Sequence, residues 1–329
     1  MARLRLDGIR LGASGRAADV ELVYAAYGRL DADGRNCIVL PTYYTGTHES
    51  YRPWIGPGRP FDPDRSFIVV PNMLGNGLST VRAADTGRRW DPRSEAPVRV
   101  SDNVACQRAL LSHLGVQRVA LVAGWSMGGL QAYEWVVAYP DLVDAFLPIC
   151  AGSRCWPLNA MFLRGLAPFL EHGLAHAEDR DSDLAAFGRA YASWAYSAAY
   201  YRDERWREDG FDTVADLLDW WSEDHRSRDP ADLLTMLATW QSAHPHPAGR
   251  SLHTTLSAVT ARAIVMPSTT DMYFTLAENA LEASWLPHGE LRPIVSDHGH
   301  IAGRPGHLPE VTAQVAAAVE DLQGPRPQV

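Results

Sequence analysis

At 329 residues and 46% hydrophobic, the chain can bury a large core, as one domain with an insertion or as two domains. Its 30 basic and 39 acidic residues give a formal charge of −9 without a basic stripe, which argues against nucleic acid as the main partner, since phosphate binding needs a concentrated positive face. The N-terminus has no apolar leader pattern and nowhere do about 18 apolar residues run together, so a soluble, cytoplasmic protein without a membrane partner is expected.

Strand-like apolar runs lie over 20–27, 37–40, 67–71, 119–123, 145–149, 263–266 and 291–295, alternating with helical patterns. That alternation predicts an α/β fold with a mainly parallel sheet flanked by helices. A helix is expected over 102–114, capped by Asp102. The run at 119–123 leads into Gly124-Trp125-Ser126-Met127-Gly128, which fits the nucleophile-elbow pattern G-x-S-x-G. Beyond it, Leu130, Tyr133 and Val137 follow helical spacing up to Pro140. The bare pattern is common, but strand, sharp turn and helix are the setting it requires. Side chains at positions 124 and 128 would collide with the neighbouring strand and helix, and the strained turn lifts the Ser126 hydroxyl clear of the sheet.

The segment 154–251 breaks the alternation and reads as several helices, with aromatic residues at Trp194, Tyr196, Tyr200, Tyr201, Trp206, Trp220, Trp221 and Trp240. Inserted after the strand that follows the elbow helix, it is expected to arch over the sheet's C-terminal edge as a lid, with a minority of its aromatics facing a pocket. The expected division is 1–153 for the first part of the core, 154–251 for the helical lid and 252–329 for the second part of the core. The tail 324–329 is expected to fray.

A serine hydroxyl needs a base to take its proton and a carboxylate to orient that base, and in this setting the chain order is Ser, Asp or Glu, then His. Asp271 follows the strand 263–266, at a strand end where open α/β sheets place functional residues. The loop 296–300 offers two histidines; His300 is taken as the base, with His298 as the local alternative, itself read more simply as a solvated loop residue. Asp297 could replace Asp271, but it lies awkwardly beside the base in sequence. For the oxyanion, one donor is expected from the Met127 amide and the other from the loop 41–48, with Tyr44 chosen and Tyr43 and Thr45 as competitors. An ordinary glycine-containing loop fits that spacing too. Cys37, Cys106, Cys150 and Cys155 lack metal-type spacing and read as reduced core residues, with Cys155 near the expected pocket. No metal or dinucleotide motif is apparent, and His244 and His246 read as a surface turn.

Several further motifs accompany the elbow: Tyr44-Thr45-Gly46-Thr47, Trp54-Ile55-Gly56-Pro57-Gly58, Asp62-Pro63-Asp64-Arg65, Pro71-Asn72-Met73-Leu74-Gly75-Asn76-Gly77, Ser126-Met127-Gly128-Gly129, Glu134-Trp135 and Gly299-His300. Together they resemble the homoserine O-acetyltransferase branch of the α/β-hydrolase superfamily. The resemblance implies an α/β-hydrolase fold, acylation of Ser126 by a thioester such as acyl-CoA acting as co-substrate, and transfer to a small hydroxyl acceptor. It also implies that Asp271 and His300 complete a triad, that no cofactor is resident, and that two copies pair through the lid. Where the family has an aspartate after the catalytic histidine, this chain has Ile301, and His-Ala-Leu-Thr-Gly is replaced by Thr42-Tyr43-Tyr44-Thr45-Gly46. The acceptor's carboxylate would need a cation, for which Arg189 and Arg202 are the better candidates among the lid arginines, with surface ion pairing as the competing reading. Thr45 and Trp125 complete the expected substrate-binding set.

Three readings stay open: an acyltransferase, which the resemblance favours, a hydrolase in which water attacks the acyl-serine, kept close behind by the altered loop and lid, and a non-catalytic scaffold. The joint presence of Ser126, Asp271 and His300 weighs against the scaffold, which needs none of them.

Overall fold

The computed structural model describes residues 1–12, 15–245 and 249–324, so His246 and the tail beyond 324 lie outside the described residues. One sheet is built from β1 (Ala2–Leu11), β2 (Arg16–Tyr27), β3 (Cys37–Val39), β4 (Phe67–Pro71), β5 (Thr80–Ala83), β6 (Val119–Trp125), β7 (Ala145–Ile149), β8 (Arg262–Val265) and β9 (Gly289–Leu291). The strand order is β1-β2-β4-β3-β6-β7-β8-β9, with β5 pairing β2. Every pair from β4–β3 through β8–β9 is parallel, and β2 joins β1, β4 and β5 antiparallel.

The central strands are apolar throughout because both faces of the sheet are covered. Alternation sends Ile38, Ile68, Val70, Leu121 and Ile264 into one apolar cluster, and Cys37, Val39, Val69, Val122 and Val265 into the other. Helices α1 (Val100–His113) and α2 (Met127–Ala138) follow β5 and β6 in the chain. Between β7 and β8 stand α3 (Pro157–Ala175), α4 (Arg180–Ala195), α5 (Ala198–Arg202), α6 (Val214–Arg226), α7 (Pro230–Gln241) and the short α8 (Leu252–Leu256). Helices α9 (Leu276–Trp285) and α10 (Pro309–Gln323) complete the chain. Phe162, Phe187, Tyr191 and Trp240 of the inserted helices share the first cluster with Leu40, Trp125 and Ile301 of the core, whereas Leu252 and Leu256 of α8 belong to the second. No helix among the described residues is long and apolar enough to cross a membrane. The four cysteines are free and buried, and burial raises the thiols of Cys106 and Cys155 to about 12 and about 11.

Three local expectations are corrected, and two strands, β1 and β5, were not foreseen. The strand expected over 20–27 starts at Arg16 and pairs with β1, whose alternation of Arg3, Arg5 and Asp7 with Leu4 and Leu6 is a period-two signal in its own right. Helix α1 starts at Val100, so Asp102 lies inside its first turn; its carboxylate reaches back to the amide of Arg99 at 2.8 Å and across to that of Gly12 at 2.9 Å. The strand expected over 291–295 leaves the continuous ladder after Leu291, two residues before Pro293, which has no N–H to donate. Ile294 returns only as an isolated bridge to Ser268.

A methyl group at Gly124 would stand 2.3 Å from the backbone carbon of Gly128. Backbone on both sides leaves nothing flexible to yield. Gly124→Ala should therefore cost at least about 1–3 kcal/mol, read as a lowered denaturant midpoint; an unchanged midpoint would contradict this close approach.

Candidate active site

Ser126 follows β6 directly and makes the turn into α2 with φ 56° and ψ −128°, a backbone conformation that non-glycine residues seldom adopt. A Cβ at Gly128 would lie 2.4 Å from the carbonyl oxygen of Pro41 and 2.7 Å from the hydroxyl of Tyr51. The Tyr51 hydroxyl donates to Pro41 O at 3.1 Å and accepts from the Trp125 amide at 3.0 Å. It is a strut between the loop after β3 and the elbow, and the sequence reading missed it.

Asp271 lies beyond β8. Its Oδ1 accepts the amides of Tyr273 (2.7 Å) and Phe274 (3.1 Å), which aims Oδ2 at His300 Nδ1, 2.8 Å away. His300 Nε2 is 2.9 Å from Ser126 Oγ. With a carboxylate on its Nδ1, the imidazole carries its proton there and presents a lone pair to the serine hydroxyl, a tautomer assigned from the network. The ring is stacked on Trp125 at 4.9 Å between centroids, and the Trp125 indole N–H donates to the His300 carbonyl at 3.2 Å. Ser126 is 3% and His300 2% exposed, so the hydroxyl and the imidazole meet where little water screens them.

The alternatives separate. Asp297 faces Arg205 at 3.6 Å and has no hydrogen bond to His300. His298 is not the solvated loop residue expected: it is buried, its Nδ1 is 3.3 Å from Ser296 Oγ and its Nε2 faces Asp209 at 3.8 Å, away from the serine. Gly299 turns the chain between the two histidines at φ 61°, packed so closely against Ala195 and Tyr196 that a Cβ would come within 2.8 Å of both.

A cavity of about 110 Å³ opens at Ser126 and His300. Its wall includes Tyr44, Thr45 and Trp125 as expected, and Trp220 and Trp221 from the lid aromatics. Tyr43 closes on Trp125 edge-on at 4.5 Å. Thr45 has φ 63° in a tight turn closed by the Gly46 amide on the Tyr43 carbonyl at 2.8 Å. Neither the Tyr44 nor the Met127 amide is committed to a backbone acceptor among the described residues, and Met127 opens α2, where first-turn amides have no partner within the helix. The Met127 side chain itself is buried in the core and does not line the cavity. Burial raises the phenols of Tyr43, Tyr44, Tyr191 and Tyr273, so the cavity's tyrosines are neutral at physiological pH.

Arg189 and Arg202 do not reach the cavity. Arg189 is 54% exposed and pairs with Asp219 at 2.5 Å, and Arg202 is 70% exposed and pairs with Asp203 at 2.6 Å. Each finds a carboxylate on the lid's outer surface instead. The cations at the wall are Arg228 and Arg304. Asp224 holds Arg228 through both carboxylate oxygens at 3.0 Å, and Arg228 also donates to the Thr45 carbonyl at 3.0 Å. Arg304 is exposed, its guanidinium 5.9 Å from the ring centroid of Trp220. Arg228 was one of many lid arginines that spacing did not distinguish, and Arg304 lies outside the lid, just beyond the His300 turn.

Residues 38–303 match the alpha/beta hydrolase fold family. The ethyl acetate hydrolase of Pseudomonas veronii is 33% identical over 294 residues, covering 85% of this chain and 83% of that protein. The homoserine O-acetyltransferase of Deinococcus radiodurans is 30% identical over 300 residues, covering 90% and 86%. Among solved structures, an acetylester hydrolase from Corynebacterium glutamicum superposes with a TM-score of 0.89 at 30% identity, covering 98% of this chain and 96% of the other. With esterases and homoserine acyltransferases both among its relatives, the chain belongs to the α/β-hydrolase superfamily and is an enzyme of its esterase or acyltransferase kind.

Proposed function

We propose that the chain hydrolyses esters of short acyl groups through an acyl-enzyme on Ser126. The carrying observation is the continuous hydrogen-bonded line from Ser126 Oγ through His300 to Asp271, opening into a small cavity. In this reading Ser126 Oγ attacks the ester carbonyl while its proton passes to His300 Nε2, and the Asp271 carboxylate stabilises the imidazolium that forms. The amides of Met127 and Tyr44 stabilise the oxyanion. The proton then goes to the departing alkoxide. Water, deprotonated by the same imidazole, attacks the acyl-serine and regenerates the enzyme.

A volume of about 110 Å³, several waters' worth but well short of a drug-sized site, supports a short acyl chain. Ile301 gives the wall an apolar residue where the acyltransferase resemblance calls for a carboxylate, and Arg228 is already occupied by Asp224. Both features favour water over a zwitterionic acceptor. The second reading, acyl transfer from a thioester such as acyl-CoA to a small alcohol, draws support from the homoserine O-acetyltransferase relatives and from Arg304 at the wall, whose guanidinium lies over Trp220 and has no carboxylate partner among the described residues.

Ser126→Ala should leave the fold intact and lower kcat on p-nitrophenyl acetate by several orders of magnitude. Near-native turnover would remove Ser126 as the nucleophile. His300→Ala should be as damaging, Asp271→Asn somewhat less so and His298→Ala mild, in the same assay. If His300→Ala kept turnover while a folded His298→Ala lost it, the base would be wrongly assigned.

The fate of the acyl group is read from the decay of isolated acetyl-enzyme in buffer and with homoserine, serine or simple alcohols. Hydrolysis predicts rapid decay that no acceptor changes. Transfer predicts slow decay in buffer and strong acceleration by the proper acceptor, because positioning at an effective molarity of about 10⁵ M or more outcompetes water.

A further inference from the structure

Away from the Ser126 cavity, three side chains from separate parts of the chain converge. Asp209 follows the 3₁₀ turn Arg205–Arg207 in the inserted region, His298 precedes the turn that carries His300, and His307 lies beyond that turn. Asp209 Oδ1 is 3.3 Å from His307 Nε2 and 3.8 Å from His298 Nε2, and one donor atom from each of the three falls within 4.8 Å of the others. The side chains are only 11% (Asp209), 11% (His298) and 19% (His307) exposed. Among the described residues His307 Nε2 is buried without a hydrogen-bond partner, its approach to Asp209 not being aligned as one. A buried ring nitrogen left without a partner is costly.

The surrounding groups hold these three side chains as outer partners hold metal ligands. The Tyr200 hydroxyl donates to Asp209 Oδ2 at 2.5 Å, leaving Oδ1 toward the imidazoles. Ser296 Oγ accepts the His298 amide at 3.1 Å and sits 3.3 Å from His298 Nδ1, which engages that nitrogen and leaves Nε2 as the one facing Asp209.

We propose that Asp209, His298 and His307 bind one divalent transition ion of the Zn²⁺ class, with water completing the coordination. Two imidazoles and one carboxylate suit zinc and its neighbours rather than magnesium or calcium. Ligands at about 2.0–2.1 Å from a tetrahedral ion stand about 3.3 Å apart. The Asp209–His307 pair already has that spacing, and His298 needs only a modest shift. The bound ion joins the inserted helical region to the segment two residues before His300, so it acts on the order of that loop. This site is independent of whether water or an alcohol takes the acyl group.

The test uses the full chain, stripped with a chelator, exchanged into metal-free buffer and titrated calorimetrically with Zn²⁺ alone. One saturating equivalent is expected, weakened at least tenfold in both Asp209→Asn and His307→Gln. X-ray absorption of the zinc-loaded wild-type chain should show two imidazoles with oxygen neighbours. No stoichiometric site in the wild type, wild-type affinity in both variants, or fewer than two imidazoles around the ion would each overturn the proposal. The wild-type titration and spectrum decide the matter even where a variant fails to fold.

Discussion

The backbone of Ser126, held at φ 56° and ψ −128°, is the constraint on which the rest of the site depends. Nothing intrinsic to a serine favours that conformation, so its surroundings must impose it. They do so by close approach: Gly124 against Gly128 on one side, and Gly128 against the Pro41 carbonyl and the Tyr51 hydroxyl on the other. Tyr51 bonds both the Pro41 carbonyl and the Trp125 amide, which fixes the loop carrying Tyr44 relative to the elbow carrying Met127. The hydroxyl and its nearby amides are therefore set in place by the same few contacts.

The base is positioned by the same economy of parts. Trp125, adjacent to the nucleophile, stacks on the imidazole and bonds the carbonyl of the same histidine, so the strand that presents the serine also carries a wall for its partner. Gly303, one turn on, must lack a side chain because a Cβ would meet Cys150 Sγ at 2.6 Å and the Trp125 ring at 2.9 Å. The inserted helices contribute a neutral aromatic roof, and the ionisable carboxylate they bring to the wall, Asp224, is neutralised by Arg228.

What was legible in the sequence was what local chemistry dictates. Apolar runs of strand length gave the central parallel strands, the glycines around Ser126 announced the turn, and strand-end placement pointed to Asp271 and His300, which the fold brings into contact. Long-range partner choice was not legible. Arg189 and Arg202 looked like substrate cations until their carboxylate partners Asp219 and Asp203 were in view. Tyr51 reads as one more core aromatic, because its bonding to Pro41 and Trp125 arises only from packing. His298 looked solvated because Asp209, its neighbour in space, is 89 positions earlier in the chain. The edge strands β1 and β5 were visible in principle, β1 through its charged and apolar alternation, but edge strands carry fewer buried residues and so a weaker signal.

Ser126 and His300 are hydrogen-bonded across 174 positions of chain. At a synthesis rate of roughly 5–20 residues per second, roughly 10–35 s separate the appearance of the serine from that of its base on the ribosome. For most of that interval the emerging polypeptide holds a complete β6 and α2 but not β8, and throughout it lacks the loop that supplies the imidazole. Its hydroxyl has no imidazole to take its proton, so the nascent chain is chemically silent toward acyl donors until nearly all of it has been made. Catalytic competence and completion of the sheet thus arrive together.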